Sequence, residues 1–152
     1  TNFKMNPPLR GADSRALQDA ISSGVIDVIS SDHAPHTENE KDIEFERAEF
    51  GVIGLETELP VAITELVDKG ILEWTGLVER MALNPARILG INKGTLSAGS
   101  DADIVVIDPT RERIITKECF LSKSRNSPFI NKTLRGYVEY TICSGKVRKW
   151  NS

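Results

Sequence analysis

The residues best suited to chemistry stand together in Ser30-Ser31-Asp32-His33-Ala34-Pro35-His36. This segment follows an apolar run, Val25, Ile26, Val28 and Ile29, which predicts a buried strand over 25–30. A carboxylate and two imidazoles at the end of a buried strand suit metal binding and acid–base work. At the C-terminal end of a barrel strand such residues read as catalytic. His33 and His36 are the chain's only histidines. Each candidate has a plainer alternative. Asp32 could cap a helix, His36 could sit in a surface loop, Asn6 could satisfy backbone groups before Pro7, and Gly51 could serve only a turn. His33 reads as local packing.

The elements around this segment predict how it is held. Residues 3–10 read as a strand end and a Pro-Pro loop, with Asn6 restrained by Pro7. Asp13 or Ser14 is placed to cap a helix carrying Ala16, Leu17, Ala20 and Ile21 on one face, closed by Gly24. Strand, helix and strand make a βαβ unit and predict a parallel sheet or barrel. The acidic stretch 37–49 reads as a solvated loop. Phe50-Gly51-Val52-Ile53-Gly54 sets two glycines among apolar residues, where backbone could approach a ligand closely. Helices are predicted over Thr57–Lys69 and Trp74–Met81. A short third helix follows, with Asn84 as its cap and Pro85 at its first position.

Beyond residues 91–95 the pattern changes. Ile104–Ile107 is a short β run closed by Asp108-Pro109. A second β section covers 137–143, turns at 144–146 and resumes at Val147. A polar loop is expected at 122–133. The predicted division is 1–92, α/β, and 93–152, a small β unit.

Composition bounds the rest. The 152 residues are 39% hydrophobic and 27% charged, with net charge −3 from 19 basic and 22 acidic side chains. That is a folded domain without the electrostatic footprint of a nucleic-acid binder, and no apolar run reaches the length of a membrane span. Cys119 and Cys143 are widely separated and read as reduced thiols of a cytoplasmic protein. The chain starts on a motif without an initiator Met, so a piece of a longer protein is expected. A complete (β/α)₈ barrel takes about 250 residues.

Four segments in order, Asn6-Pro7-Pro8-Leu9-Arg10, Ser31 to His36, Phe50 to Glu56 and Asn84-Pro85-Ala86, resemble the C-terminal part of dihydroorotases within the amidohydrolase superfamily. A fifth, Gly99-Ser100-Asp101-Ala102-Asp103-Ile104-Val105, is shared widely among cyclic amidohydrolases. The resemblance implies the C-terminal part of a metal-dependent (β/α)₈ barrel plus part of a small β-sandwich. The implied reaction is reversible, metal-dependent cyclisation of N-carbamoyl-aspartate to dihydroorotate in pyrimidine synthesis. It implies zinc as cofactor, with Asp32 both binding the metal site and moving the proton. Asn6 and His36 are implied substrate-binding residues, and Phe50 and Gly51 the loop whose backbone meets the ring. The implied partners are the small substrate, the rest of the barrel, a further copy in a homo-oligomer, and aspartate transcarbamoylase. The other metal ligands lie outside this sequence, so the chain alone is expected to be inactive. The rival readings are an allantoinase or hydantoinase, and a non-catalytic scaffold for aspartate transcarbamoylase.

Overall fold

The computed structural model describes residues 1–8 and 10–150. Leu9, within the Asn6–Arg10 segment, lies outside the described residues, as do the last two residues of the 93–152 unit. Helix α1 is Gly11–Ser22 and the short α2 is Glu38–Lys41. Helix α3, Glu58–Ala62, runs on into a π-helical turn, Ile63–Val67. Helix α4, Trp74–Val78, continues through a second π turn, Glu79–Leu83, into α5, Asn84–Leu89. An antiparallel sheet follows in the order β1-β2-β3, with β1 at Ile104–Ile114, β2 at Thr133–Cys143 and β3 at Lys146–Lys149.

The run 25–30 is not a strand. A strand exists by its ladder, and no described residue pairs with this run. It is instead pinned by a helix: Ile29 N–H donates to the Arg80 carbonyl, at 3.0 Å. Arg80 is buried and donates from Nε to the Ile26 carbonyl (3.1 Å), from Nη2 to Ile21 (2.8 Å) and from Nη1 to Gly76 (3.2 Å). One guanidinium therefore ties the end of α1, the 25–29 run and α4 together. Asp32 therefore follows an unpaired run rather than a strand end. The parallel pairing that exists here is a single bridge, His33 to Val52.

Several boundaries also differ from the sequence reading. Helix α1 starts at Gly11, ahead of Asp13 and Ser14, with no side-chain cap. The two helices expected at 74–81 and 84–90 are one continuous rod, so Asn84 is not a cap. Asn84 N–H donates to the Glu79 carbonyl across the widened turn. Pro85, which has no N–H and would crowd an ordinary preceding turn, comes directly after it. The Asn84 side chain donates instead to the Asp27 carbonyl (3.0 Å). Asp108-Pro109 does not close β1. Asp108 Oδ1 accepts the N–H groups of Thr110 (2.9 Å) and Arg111 (3.2 Å), and the pairing with β2 slips there and resumes at Glu112. The second β section begins earlier than expected, at Thr133. The 37–49 stretch is not wholly a solvated loop, since α2 lies within it and Lys41 and Ala48 are buried.

The core has two centres. One joins Ala62, Ile63, Leu66, Leu72 and Leu77, with Ile21, Ile29 and Ile107 packed around it. The helical stripe expected over 57–69 accounts for its first members. The other joins Ile53, Ile115, Phe120 and Leu134. The sheet rests on the π turn after α3 at a close crossing: Gly136, φ +90°, lies so near Ile63 that a Cβ there would fall 2.3 Å from Ile63 Cδ1. Arg135 N–H donates to Thr64 Oγ1 (2.8 Å) at the same junction. The observed β unit is a three-stranded sheet.

Candidate active site

The parallel bridge at His33 and Val52 brings the histidine segment alongside the glycine loop. Ala34 N–H donates to the Val52 carbonyl at 2.8 Å. His33 serves this junction, with Nδ1 accepting from the N–H groups of Gly54 (3.2 Å) and Leu55 (3.4 Å), in keeping with the local packing expected of it.

Three of the expected site residues meet directly. His36 Nε2 lies 2.9 Å from the Phe50 carbonyl, so this nitrogen carries the proton and donates. Its Nδ1 is 3.6 Å from Glu40 Oε2, an ion pair when the ring is protonated. Gly51 follows with φ +119°. Its N–H donates to the Lys4 carbonyl (2.9 Å), and its own carbonyl accepts from Lys41 Nζ (3.0 Å) and Asn126 Nδ2 (3.2 Å). Phe50 is half exposed. Among the described residues its N–H has no hydrogen-bond partner.

Asn6 and Asp32 stand apart from this knot. Both are exposed, and among the described residues neither side chain has a hydrogen-bond partner. Asn6 is two residues beyond Lys4, whose carbonyl holds Gly51. Asp32 immediately precedes the bridge at His33.

Two lysines and an asparagine support the loop, and sequence reasoning passed over all three. Lys4 is buried, donates to the Glu46 carbonyl (2.9 Å) and lies 4.5 Å from the centre of the Phe50 ring. Lys41 is buried and donates to the carbonyls of Glu49 (2.7 Å) and Gly51. Burial, and then the neighbouring Lys4 charge, push its ammonium below the usual lysine range. Asn126, from the 122–133 segment, is buried and meets both halves of the site. A lysine inside an acidic run reads as surface, and an asparagine in a polar loop reads as turn. Neither residue type nor spacing marked them, since Asn126 stands 75 positions from Gly51 and Lys41 stands 10.

Thr37 and Glu40 form a capping box on α2, with Glu40 Oε2 accepting from Thr37 N–H (2.8 Å) and Oγ1 (2.9 Å). Those bonds, the backbone one first, hold the Glu40 carboxyl below the usual carboxylate range. A cleft of about 300 Å³ opens beside His36, with Thr37, Lys41, Lys117, Arg125 and Asn126 in its walls.

For a metal, Asp32 offers one hard oxygen ligand of the right chemistry. Among the described residues, no group of three or more His, Cys, Asp or Glu side chains is placed to hold an ion. A catalytic zinc takes about three protein ligands. Among the described residues Asp32 by itself does not complete such a set.

Residues 8–148 match the amidohydrolase family. Over 99% of its length the chain is 50% identical to a dihydroorotase of Elusimicrobium minutum, and over 97% it is 49% identical to one of Geotalea daltonii. It spans about a third of each, at 35%. Among solved structures, the L-hydantoinase (dihydropyrimidinase) of Arthrobacter aurescens superposes with a TM-score of 0.89 at 35% identity, covering 95% of this chain and 33% of that one. A D-hydantoinase (dihydropyrimidinase) from Thermus sp. gives 0.83 at 28%, covering 96% and 33%. With the histidine segment and the glycine loop held together, and with the family matched over nearly its whole length, the chain belongs to the amidohydrolase family.

Proposed function

We propose that the intact protein is a dihydroorotase, opening dihydroorotate to N-carbamoyl-aspartate and closing it again. The observation that carries this reading is the knot of His36, Phe50 and Gly51, in a chain about 50% identical to dihydroorotases. Asp32, Asn6, His36, Phe50 and Gly51 are its working residues. Water attacks the ring amide carbon, the ring C–N bond breaks, and the ring nitrogen leaves with a proton. Asp32 takes the proton from the water and returns it to that nitrogen. The Phe50 N–H meets a ring oxygen. Asn6, with a donor and an acceptor, pairs with the amide edge of the ring. His36 releases the Phe50 carbonyl and donates to the ring carboxylate. A metal, zinc in this reading, is held by Asp32 together with ligands outside this chain. When bound it polarises the amide carbonyl and lowers the pKa of water.

The wider parts of the proposal follow from the same reading. Residues 1–92 belong to a (β/α)₈ barrel and 93–152 to a small β-sandwich. The protein acts in pyrimidine synthesis, in the cytoplasm and as a homo-oligomer, with aspartate transcarbamoylase as a candidate partner. No described helix is long and apolar enough to cross a membrane. Activity belongs to the intact protein rather than to this chain alone.

The likeness to hydantoinase structures favours a second reading, hydrolysis of a five-membered cyclic diamide. Turnover of dihydroorotate and of hydantoin by the full-length protein separates the two. The dihydroorotase reading expects His36→Ala to raise KM for dihydroorotate selectively over a dihydropyrimidine lacking the carboxylate. Turnover of hydantoin alone would establish the second reading.

A further inference from the structure

We infer that Asn126 is a positioning residue, holding His36 and the Phe50–Gly51 loop in register with each other. The inference rests on the proposed dihydroorotase reading for its kinetic test, and on geometry alone for its structural one. Asn126 is only 4% exposed and touches both halves of the site at once. Its Oδ1 accepts from His36 N–H (3.3 Å). Its Nδ2 donates to the Ala34 carbonyl (3.0 Å) and to the Gly51 carbonyl (3.2 Å). Its own carbonyl accepts Ile53 N–H (3.0 Å), two residues past Gly51. The amide orientation is dictated, because both hydrogens of Nδ2 face carbonyls while Oδ1 faces an N–H.

The position explains why an amide is needed. The histidine segment and the glycine loop share one parallel bridge, at His33 and Val52, and then diverge. Around that bridge, the carbonyls of Ala34 and Gly51 and the N–H of His36 have no strand to pair them. Asn126 supplies two donors and one acceptor in the gap, doing with one side chain what a continued ladder would do with backbone. A carboxylate of the same shape would set charge against two carbonyl oxygens, and a hydroxyl is too short to span both segments. The residue reaches no reacting atom. It acts through the placement of the His36 ring and of the carbonyl that ring meets.

The test uses the full-length protein with its metal. Asn126→Ala removes the three side-chain bonds. Asn126→Asp keeps the size and inverts the donors. Steady-state kinetics with dihydroorotate are compared across wild type, both variants, His36→Ala and the His36→Ala/Asn126→Ala double variant, with metal content measured in each. The expected result is a KM raised about tenfold in Asn126→Ala, the scale of losing a buried polar contact. The effect should be larger in Asn126→Asp, with kcat altered less and metal content kept. Adding Asn126→Ala to His36→Ala should raise KM little further. Amide exchange gives a readout independent of turnover: His36 N–H should exchange faster in Asn126→Ala while Leu77 in the core stays protected. An unchanged KM, fully additive effects, or unchanged exchange at His36 would overturn the inference. So would failure of both variants to fold, which would make Asn126 a residue of the fold at large. A wild type inactive on dihydroorotate would instead overturn the functional reading, leaving exchange at His36 to decide the role of Asn126.

Discussion

The methyl group of Ala34 occupies the place where a side chain on Gly51 would begin: a Cβ built on Gly51 falls 2.5 Å from Ala34 Cβ and 3.4 Å from His36 Nε2. The contact between the two segments is therefore as close as backbone allows, and it is made in a conformation, φ +119°, that side chains avoid.

Gly51→Ala should fail on both counts. The expected loss is at least about 1–3 kcal/mol from the backbone conformation, before the clash with Ala34 is added. Denaturant unfolding of the full-length protein measures it. Stability within about 0.5 kcal/mol of wild type would show that the loop relocates freely.

Arg80 joins three stretches of backbone through one guanidinium. Arg80→Met keeps the apolar stem and leaves the Ile21 and Ile26 carbonyls without their donor. A loss of about 2–4 kcal/mol is expected, as for other buried acceptors left unpaired. Arg80→Lys should recover only part of it, since an ammonium cannot reproduce the planar fork. The midpoint of denaturant unfolding orders the three proteins, and a lysine variant equal to wild type would reject the fork argument.

Acid should loosen α2. The Glu40 carboxyl is held below its ordinary value, chiefly by Thr37 N–H, so its protonation competes with the capping box. The sign follows from linkage: the contribution is fully present above the ordinary glutamate value and is lost as pH falls through the lower folded value. The protection factor of the Thr37 amide, corrected for the intrinsic slowing of exchange in acid, should fall over that range, and Glu40→Gln should remove most of the pH dependence. A Thr37 amide indifferent to pH down to complete protonation of Glu40 would contradict the assignment.

Asp32→Asn keeps the volume and removes the proton acceptor. In the full-length enzyme kcat should fall about a hundredfold or more, the usual scale for an acid–base group, with metal content measured alongside. Normal turnover with metal retained would remove Asp32 from proton transfer.

Much of this arrangement was legible in the sequence, for physical reasons. The stripe of Ala62, Ile63 and Leu66 marked the helical stretch of α3 and the π turn after it, because its spacing buries one face. The histidine segment and the glycine loop could be marked by residue type alone. The run 25–30 could not be read correctly, because apolar content gives burial while strand character depends on a neighbour. Asn126 and Lys41 were illegible for a related cause. Each becomes a site residue only once a distant segment brings carbonyls to it, across 75 positions for Asn126 and Gly51 and 10 for Lys41 and Gly51.

The rod formed by α4 and α5 carries a phase slip. Leu77 and Ala86 are both buried. At about 100° per residue, nine steps would put them on opposite sides of a uniform helix. The π turn at Glu79–Leu83 absorbs one residue without advancing the spiral, and so brings them to within roughly a quarter-turn of each other. Deleting a single residue from that turn would regularise the hydrogen bonding and yet rotate everything after it, Ala86 included, away from the surface it packs on. In this stretch a locally better helix would be a globally worse one.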